Sequence, residues 1–179
     1  MKVFPFVCVL YLFCVVAPSN SIFDFNSNCN LDNWYVVNDG VMGGLSEGHL
    51  TITKEGHGLF YGNVSLENYG GFTSIRYLLD NKKIKENAFC NIRLKGDGKN
   101  YQFRVKSDEY QGFSYIYEFN TSGEWENIKI PLHEMYPSFR GRRLDMPNFS
   151  GEQIAEITFL IANKKAESFN LYIDQITVE

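Results

Sequence analysis

The chain has 179 residues, 44% hydrophobic, 16% aromatic and 21% charged, with 17 basic against 21 acidic side chains and a formal charge of −4. This length suits one domain with its own core, and the balance excludes a disordered chain, a collagen and a coiled coil. A mildly acidic chain has no general attraction for phosphate backbones, which argues against a nucleic-acid partner.

Met1-Lys2 gives a short basic start, residues 3–16 are apolar apart from Tyr11 and two cysteines, and Ala17-Pro18-Ser19-Asn20-Ser21 supplies small residues at cleavage spacing. Residues 1–21 therefore read as a secretory signal peptide, cut after Ser19 or Ser21, ahead of a secreted or periplasmic domain over residues 22–179. The alternative is an uncleaved anchor, although an apolar run of about 14 residues is short for a membrane span. No span is expected in the mature chain.

Cys8 and Cys14 leave with the signal, so Cys29 and Cys90 remain. In an oxidising compartment a bridge between them would close a loop of about 60 residues and stabilise the fold by roughly 4 kcal/mol. Cys90 also shares a parity with Ala88, Ile92 and Leu94, which suits a buried free thiol equally well. Both readings stay open.

Alternation with period two dominates from there on. Leu50 and Ile52 alternate with Thr51 and Thr53, and Ile92 and Leu94 with Arg93 and Lys95. Tyr101, Phe103 and Val105 alternate with Gln102, Arg104 and Lys106, and Phe169, Leu171 and Ile173 with Asn170, Tyr172 and Asp174. Residues 157–161 are apolar on both faces, as in a central strand. Gly96-Asp97-Gly98-Lys99-Asn100 reads as a hairpin turn. Helical signals are confined to residues 132–136 and 150–154. Many short strands with little helix predict an all-β protein, an antiparallel β-sandwich.

The densest pattern lies between residues 34 and 76. Trp34 is followed by Asn38-Asp39-Gly40-Val41-Met42-Gly43-Gly44-Leu45-Ser46, and later by Ser65-Leu66-Glu67-Asn68-Tyr69-Gly70-Gly71-Phe72 and Arg76. Short polar side chains beside paired glycines cap turns and let backbones approach closely. The expectation is a knot in which Arg76 pairs with Asp39 or Glu67 and the two segments fix how the sheets meet. Trp34, Asn38, Asp39, Glu67, Asn68 and Arg76 are its candidate surface, whether for binding or for bracing, and Gly43, Gly44, Gly70 and Gly71 set its backbone geometry.

Signals for chemistry are weak. Gly44-Leu45-Ser46-Glu47-Gly48 matches a nucleophile elbow but precedes a strand and not a helix. His49, His57 and His133 lack metal-ligand spacing. Glu118, Glu124 and Glu126 cannot be placed across a cleft by spacing alone. Gly96-Asp97-Gly98-Lys99 lacks the frame of a phosphate loop, and Arg140-Gly141-Arg142-Arg143 and Lys164-Lys165 read as solvated loops. No catalytic residue, metal or cofactor is assigned. Phe113, Tyr115, Tyr117 and Phe119 share one strand face, which is either core or a platform for sugar rings. Asn63-Val64-Ser65, Asn120-Thr121-Ser122 and Asn148-Phe149-Ser150 are glycosylation sequons, relevant only in a eukaryotic host.

The W…NDGVMGG-S segment at residues 34–46 and the F-x-G-x-x-S-L-E-N-x-G-G-F-x-S-x-R segment at residues 60–76 closely resemble the complex I intermediate-associated protein 30 family. The likeness continues at Gly96-Asp97-Gly98 with Tyr101, at Trp125 with Ile130-Pro131, at residues 137–142 and at residues 169–176. It implies a galactose-binding-like jelly roll related in shape to carbohydrate-binding modules. The best-known members are mitochondrial assembly factors for NADH:ubiquinone oxidoreductase, chaperones of intermediates and not enzymes. Two features depart from the family: the N-terminus resembles an export signal and not a presequence, and Lys165-Ala166-Glu167-Ser168 replaces the usual glycine-proline before the last strand. A mitochondrial location thus follows only by analogy. The expected activity is binding of a protein partner. The alternative is a secreted carbohydrate-binding module using exposed aromatics such as Tyr110, Tyr117 or Trp125.

Overall fold

The computed structural model describes residues 20–179, so the expected signal peptide lies, up to residue 19, outside the described residues. Period-two alternation resolves into thirteen strands: β1 (Ser21–Asp24), β2 (Trp34–Asn38), β3 (Glu47–Ile52), β4 (Gly58–Val64), β5 (Thr73–Lys83), β6 (Phe89–Lys95), β7 (Asn100–Lys106), β8 (Ser114–Asn120), β9 (Trp125–Pro131), β10 (Tyr136–Phe139), β11 (Arg142–Arg143), β12 (Gln153–Ile161) and β13 (Glu167–Val178). The helical content of the described residues is three 3-10 turns, at Asp39–Met42, Glu67–Tyr69 and Leu132–Glu134. None of these is long and apolar enough to cross a membrane.

The strands form two sheets, antiparallel at every described pairing. One runs β3-β4-β13-β6-β9, and the other runs β11-β10-β8-β7-β12-β5-β2. The long β13 serves two neighbours in turn on one side: Glu167–Ile173 pair with β4, and β1 takes over from Gln175 onward. Between the sheets, Phe60, Ile92, Leu94, Phe103, Phe159 and Phe169 are fully buried from inward-facing positions on five strands. The run of apolar residues at 157–161 lies on β12, in the middle of the seven-stranded sheet, as its lack of alternation predicts.

Several expectations are corrected. The loop through Gly98 is no hairpin: β6 and β7 belong to different sheets, so the loop crosses the sandwich. Asp97 and Thr121 set its path, accepting from the Asn170 amide and the Gly98 amide, at 3.0 and 3.1 Å. Residues 150–154 do not start a helix, because Gln153 already pairs with Lys83 as β12 begins. The core reading of the aromatic row holds, by contrast: Tyr115, Tyr117 and Phe119 pack on the core, and the sugar platform is not formed there.

Cys29 and Cys90 are free thiols, which corrects the bridged reading. Cys90 stands fully buried on the inner face of β6, between Ile130 of β9 and Val178 of β13. Burial there pushes its thiol well above the usual range, since a thiolate would be desolvated.

Candidate functional site

The Asn-Asp-Gly and Gly-Gly-Phe segments meet, as their composition suggests, and Asp39 is the joint. The carboxylate is 3% exposed. Oδ1 accepts the Ser46 amide at 3.0 Å, and Oδ2 accepts the Ser46 hydroxyl at 2.5 Å and the Gly71 and Phe72 amides at 2.7 and 3.3 Å. Burial alone would raise its pKa. The Ser46 hydroxyl and the Gly71, Ser46 and Phe72 amides outweigh that and hold it below the ordinary carboxylate value. Asn38 extends the brace, its Oδ1 accepting the Gly48 amide at 3.2 Å and the Thr73 hydroxyl at 2.5 Å.

Each glycine pair divides into one conformational and one steric member. Gly43 closes the first turn at φ +83°, and Gly71 sits at φ +141°. A Cβ on Gly44 would lie 2.3 Å from the Asp39 carboxyl carbon, and one on Gly70 would lie 2.6 Å from Asp39 Oδ2. Asn68 and Tyr69 also hold left-handed backbone, at φ 52° and 62°. Two consecutive non-glycine residues there store strain that the braced loops must hold. The loops end in exposed apolar side chains: Val41 (98% exposed) and Leu45 from one, Leu66 and Tyr69 (95%) from the other. Glu67 and Asn68 are exposed beside them.

Trp34 and Arg76 stand apart from this knot. Trp34 is buried among Phe23, Phe25 and Tyr77, with ring centroids 5.0 to 5.4 Å away, so it belongs to the core. Arg76 corrects the expected pairing: its Nη1 lies 3.9 Å from Glu156 Oε1, and it pairs with neither Asp39 nor Glu67. The reason is parity, since Arg76 points to the outer face of the seven-stranded sheet, on a cross-strand row with Tyr35, Thr158, Arg104, Ile116 and Tyr136. Glu156 also faces Lys106 at 3.3 Å and accepts the Tyr35 hydroxyl at 2.8 Å. Burial, then that bond, pushes the Tyr35 hydroxyl up to about 12.

The row continues into an open groove of about 350 Å³ floored by Ile116 and lined by Gln102, Arg104, Glu118, Tyr136 and Arg143. Arg104 donates twice to Gln102 Oε1, at 3.0 and 2.5 Å, while Gln102 donates to Glu118 at 2.9 Å. Sequence reasoning missed this groove because its residues come from four strands, β7, β8, β10 and β11, brought together by register alone.

Ser46 does not act as an elbow nucleophile in this arrangement. It is buried, its hydroxyl donates a hydrogen bond to Asp39 and its Oγ accepts the Ser65 amide at 3.0 Å, so it braces the loops. His57 is no isolated surface histidine: its Nδ1 lies 2.9 Å from Asp174, which also holds Arg93 at 2.5 Å, and both cationic-capable groups flank Trp125. Asp174 is the extra residue of a β-bulge against β6, which is what aims it at this cluster. Trp125 is thereby engaged, Tyr117 packs partly buried against the core and Tyr110 is exposed, so these aromatics form no shared platform. Among the described residues, no group of three or more His, Cys, Asp or Glu side chains is placed to hold a metal ion.

Residues 23–173 match the complex I intermediate-associated protein 30 family. The mitochondrial complex I intermediate-associated protein 30 of Mus musculus is 26% identical over 187 residues, which cover 92% of this chain and 57% of that protein. The chain thus spans little more than half of that relative. An uncharacterized protein of Schizosaccharomyces pombe is 28% identical over 173 residues, covering 81% of this chain and 79% of its own. Among solved structures, a family 11 carbohydrate-binding module of Clostridium thermocellum, in complex with a mixed-linked tetrasaccharide, superposes with a TM-score of 0.59 at 18% identity, over 86% of this chain and 91% of its own. The agarase AgWH50C gives 0.58 at 12% identity, over 89% of this chain and 24% of its own. At such identity the likeness is one of fold, and it places the sandwich with the galactose-binding-like jelly rolls.

Proposed function

The chain belongs to the complex I intermediate-associated protein 30 family. From that membership we propose that it is a non-enzymatic domain that binds a protein partner in the manner of an assembly factor, and from the signal-like residues 1–21 that it is exported. The observation that carries the reading is the braced loop pair. Asp39 ties the two loops together, and Val41, Leu45, Leu66 and Tyr69 project from them into solvent. A strained, internally bonded scaffold that spends its polar groups on itself while exposing large apolar side chains suits docking against a protein surface. The glycine-rich motif of the sequence is then the frame of the surface, and the apolar tips are the surface itself.

Export separates the partner from respiratory-complex intermediates, so the partner is a protein of the exported compartment. The test has two arms. A photo-crosslinker at residue 69, introduced in the native host, should trap a discrete protein, and the double variant Val41→Asp/Tyr69→Asp should lose it at unchanged melting temperature. Capture that survives the double variant overturns the loop assignment. N-terminal sequencing of the fractionated chain should begin between residues 20 and 22; an intact start, or recovery with mitochondria, overturns the export.

A further inference from the structure

We infer that the groove across β7, β8, β10 and β11 is a binding site for a sugar acid, a ring-sized polyol that carries a carboxylate. This site stands on other elements than the apolar loop pair and does not depend on it.

The first argument is charge. Along the outer face, Arg76, Lys106, Arg104 and Arg143 stand against the carboxylates of Glu156 and Glu118, a local excess of positive charge on an acidic chain. Glu156 is committed to Lys106, Arg76 and Tyr35. That leaves Arg104, whose side-chain hydrogen bonds run to the neutral amide of Gln102 and to no carboxylate. Burial, and then the charge of Arg76, lowers its pKa to about 10 against the smaller opposing effects of Tyr136 and Glu118. With no carboxylate bonded to it inside the groove, the Arg104 guanidinium favours a planar, bidentate anion, which a carboxylate supplies.

The second argument is the remaining inventory. Glu118 accepts from Gln102 and, at 3.3 Å, from the Tyr136 hydroxyl, so a fixed file of acceptor, amide and phenol borders the guanidinium. Arg143 lies over the Tyr136 ring at 5.0 Å, closing one side, and Ile116 offers an aliphatic floor. Mixed donors and acceptors around a small apolar base serve a ring bearing several hydroxyls better than a bare ion. A volume of about 350 Å³ falls at the small end of ligand sites.

The experiment is amide chemical-shift mapping, with calorimetry, on the full chain titrated with glucuronate, glucose, acetate and inorganic phosphate at one ionic strength. Glucuronate should saturate, with shifts centred on Gln102, Arg104, Glu118 and Tyr136, and bind at least about tenfold tighter than the other three. Arg104→Gln should abolish the preference for glucuronate over glucose. Arg143→Ala, an exposed change that leaves the core untouched, should weaken binding several-fold. Glucose binding equally well, acetate or phosphate binding equally well, shifts lying elsewhere, or no saturation at millimolar ligand would each overturn the proposal.

Discussion

Arg76 spends its charge on Glu156, 3.9 Å away on the neighbouring strand, and not on the acidic residues of its own motif. The two share an outer sheet face on which Glu156 is almost fully buried while Arg76 keeps part of its surface in water. The pair is unequal. Removing Arg76 leaves Glu156 with Lys106 and Tyr35, whereas removing Glu156 leaves Arg76 and Lys106 facing each other without an anion. Arg76→Ala should therefore cost about 1–3 kcal/mol and Glu156→Ala about 3–5 kcal/mol. For a chain of this size each kcal/mol lowers the melting temperature by about 2–4 °C. Equal losses, or the larger loss with Arg76, would refute the asymmetry.

Asp39 gives the fold an acid limit. Its folded pKa is depressed, so its contribution is fully present above the unfolded carboxylate value of about 4 and fades as pH falls through the lower folded value. Asp39→Asn points an amide donor towards N–H groups that now bond a carboxylate, and should cost about 3–5 kcal/mol at neutral pH. The difference between wild type and variant, read from denaturant melts, should shrink steadily below about pH 4. A difference that holds constant into strong acid would show that the charge of Asp39 does no stabilising.

Period-two alternation and turn residues reveal the strands and the sandwich, because those are local signals with a fixed parity, while the parity of Cys90 left a buried thiol and a bridge to Cys29 equally open. The meeting of the Asp39 and Gly71 loops was legible too, since two Gly-Gly pairs beside Asn and Asp imply close backbones. What stayed hidden depends on which strands become neighbours. Parity sends Arg76 to the outer face, yet only the β5–β12 register shows that Glu156 waits there. The β13 bulge that turns Asp174 towards His57 and Arg93 adds one residue and leaves no mark in composition. The loop through Gly98 has hairpin chemistry but joins two sheets, because turn residues report a change of direction and not its destination.

The neighbouring glycines Gly43 and Gly44 should respond differently to the same substitution. Gly43→Ala meets nothing closer than 3.9 Å but must hold φ +83°, a strain of about 1–2 kcal/mol. Gly44→Ala puts its methyl 2.3 Å from the Asp39 carboxyl carbon and must dislodge the joint of both loops. It should cost at least about 3 kcal/mol and lose most of the acid dependence described for Asp39. Gly70→Ala, 2.6 Å from Asp39 Oδ2, should share that second signature. A Gly44→Ala protein with the wild-type acid profile would mean that the carboxylate is not held where the hydrogen bonds place it.

The two described cysteines predict a contrast in reactivity. Cys29 is partly accessible, while Cys90 is fully buried, and burial raises the Cys90 thiol far from its reactive form. Maleimide added to the folded chain should modify Cys29 and spare Cys90 until denaturant is present, as peptide mapping by mass spectrometry would read. Cys90 also acts as a small apolar side chain, so Cys90→Ser, which buries a hydroxyl between Ile130 and Val178, should destabilise more than Cys90→Ala, by about 1–2 kcal/mol. Recovery of a peptide joining Cys29 to Cys90, or equal labelling of both in the folded chain, would contradict the free, buried thiol.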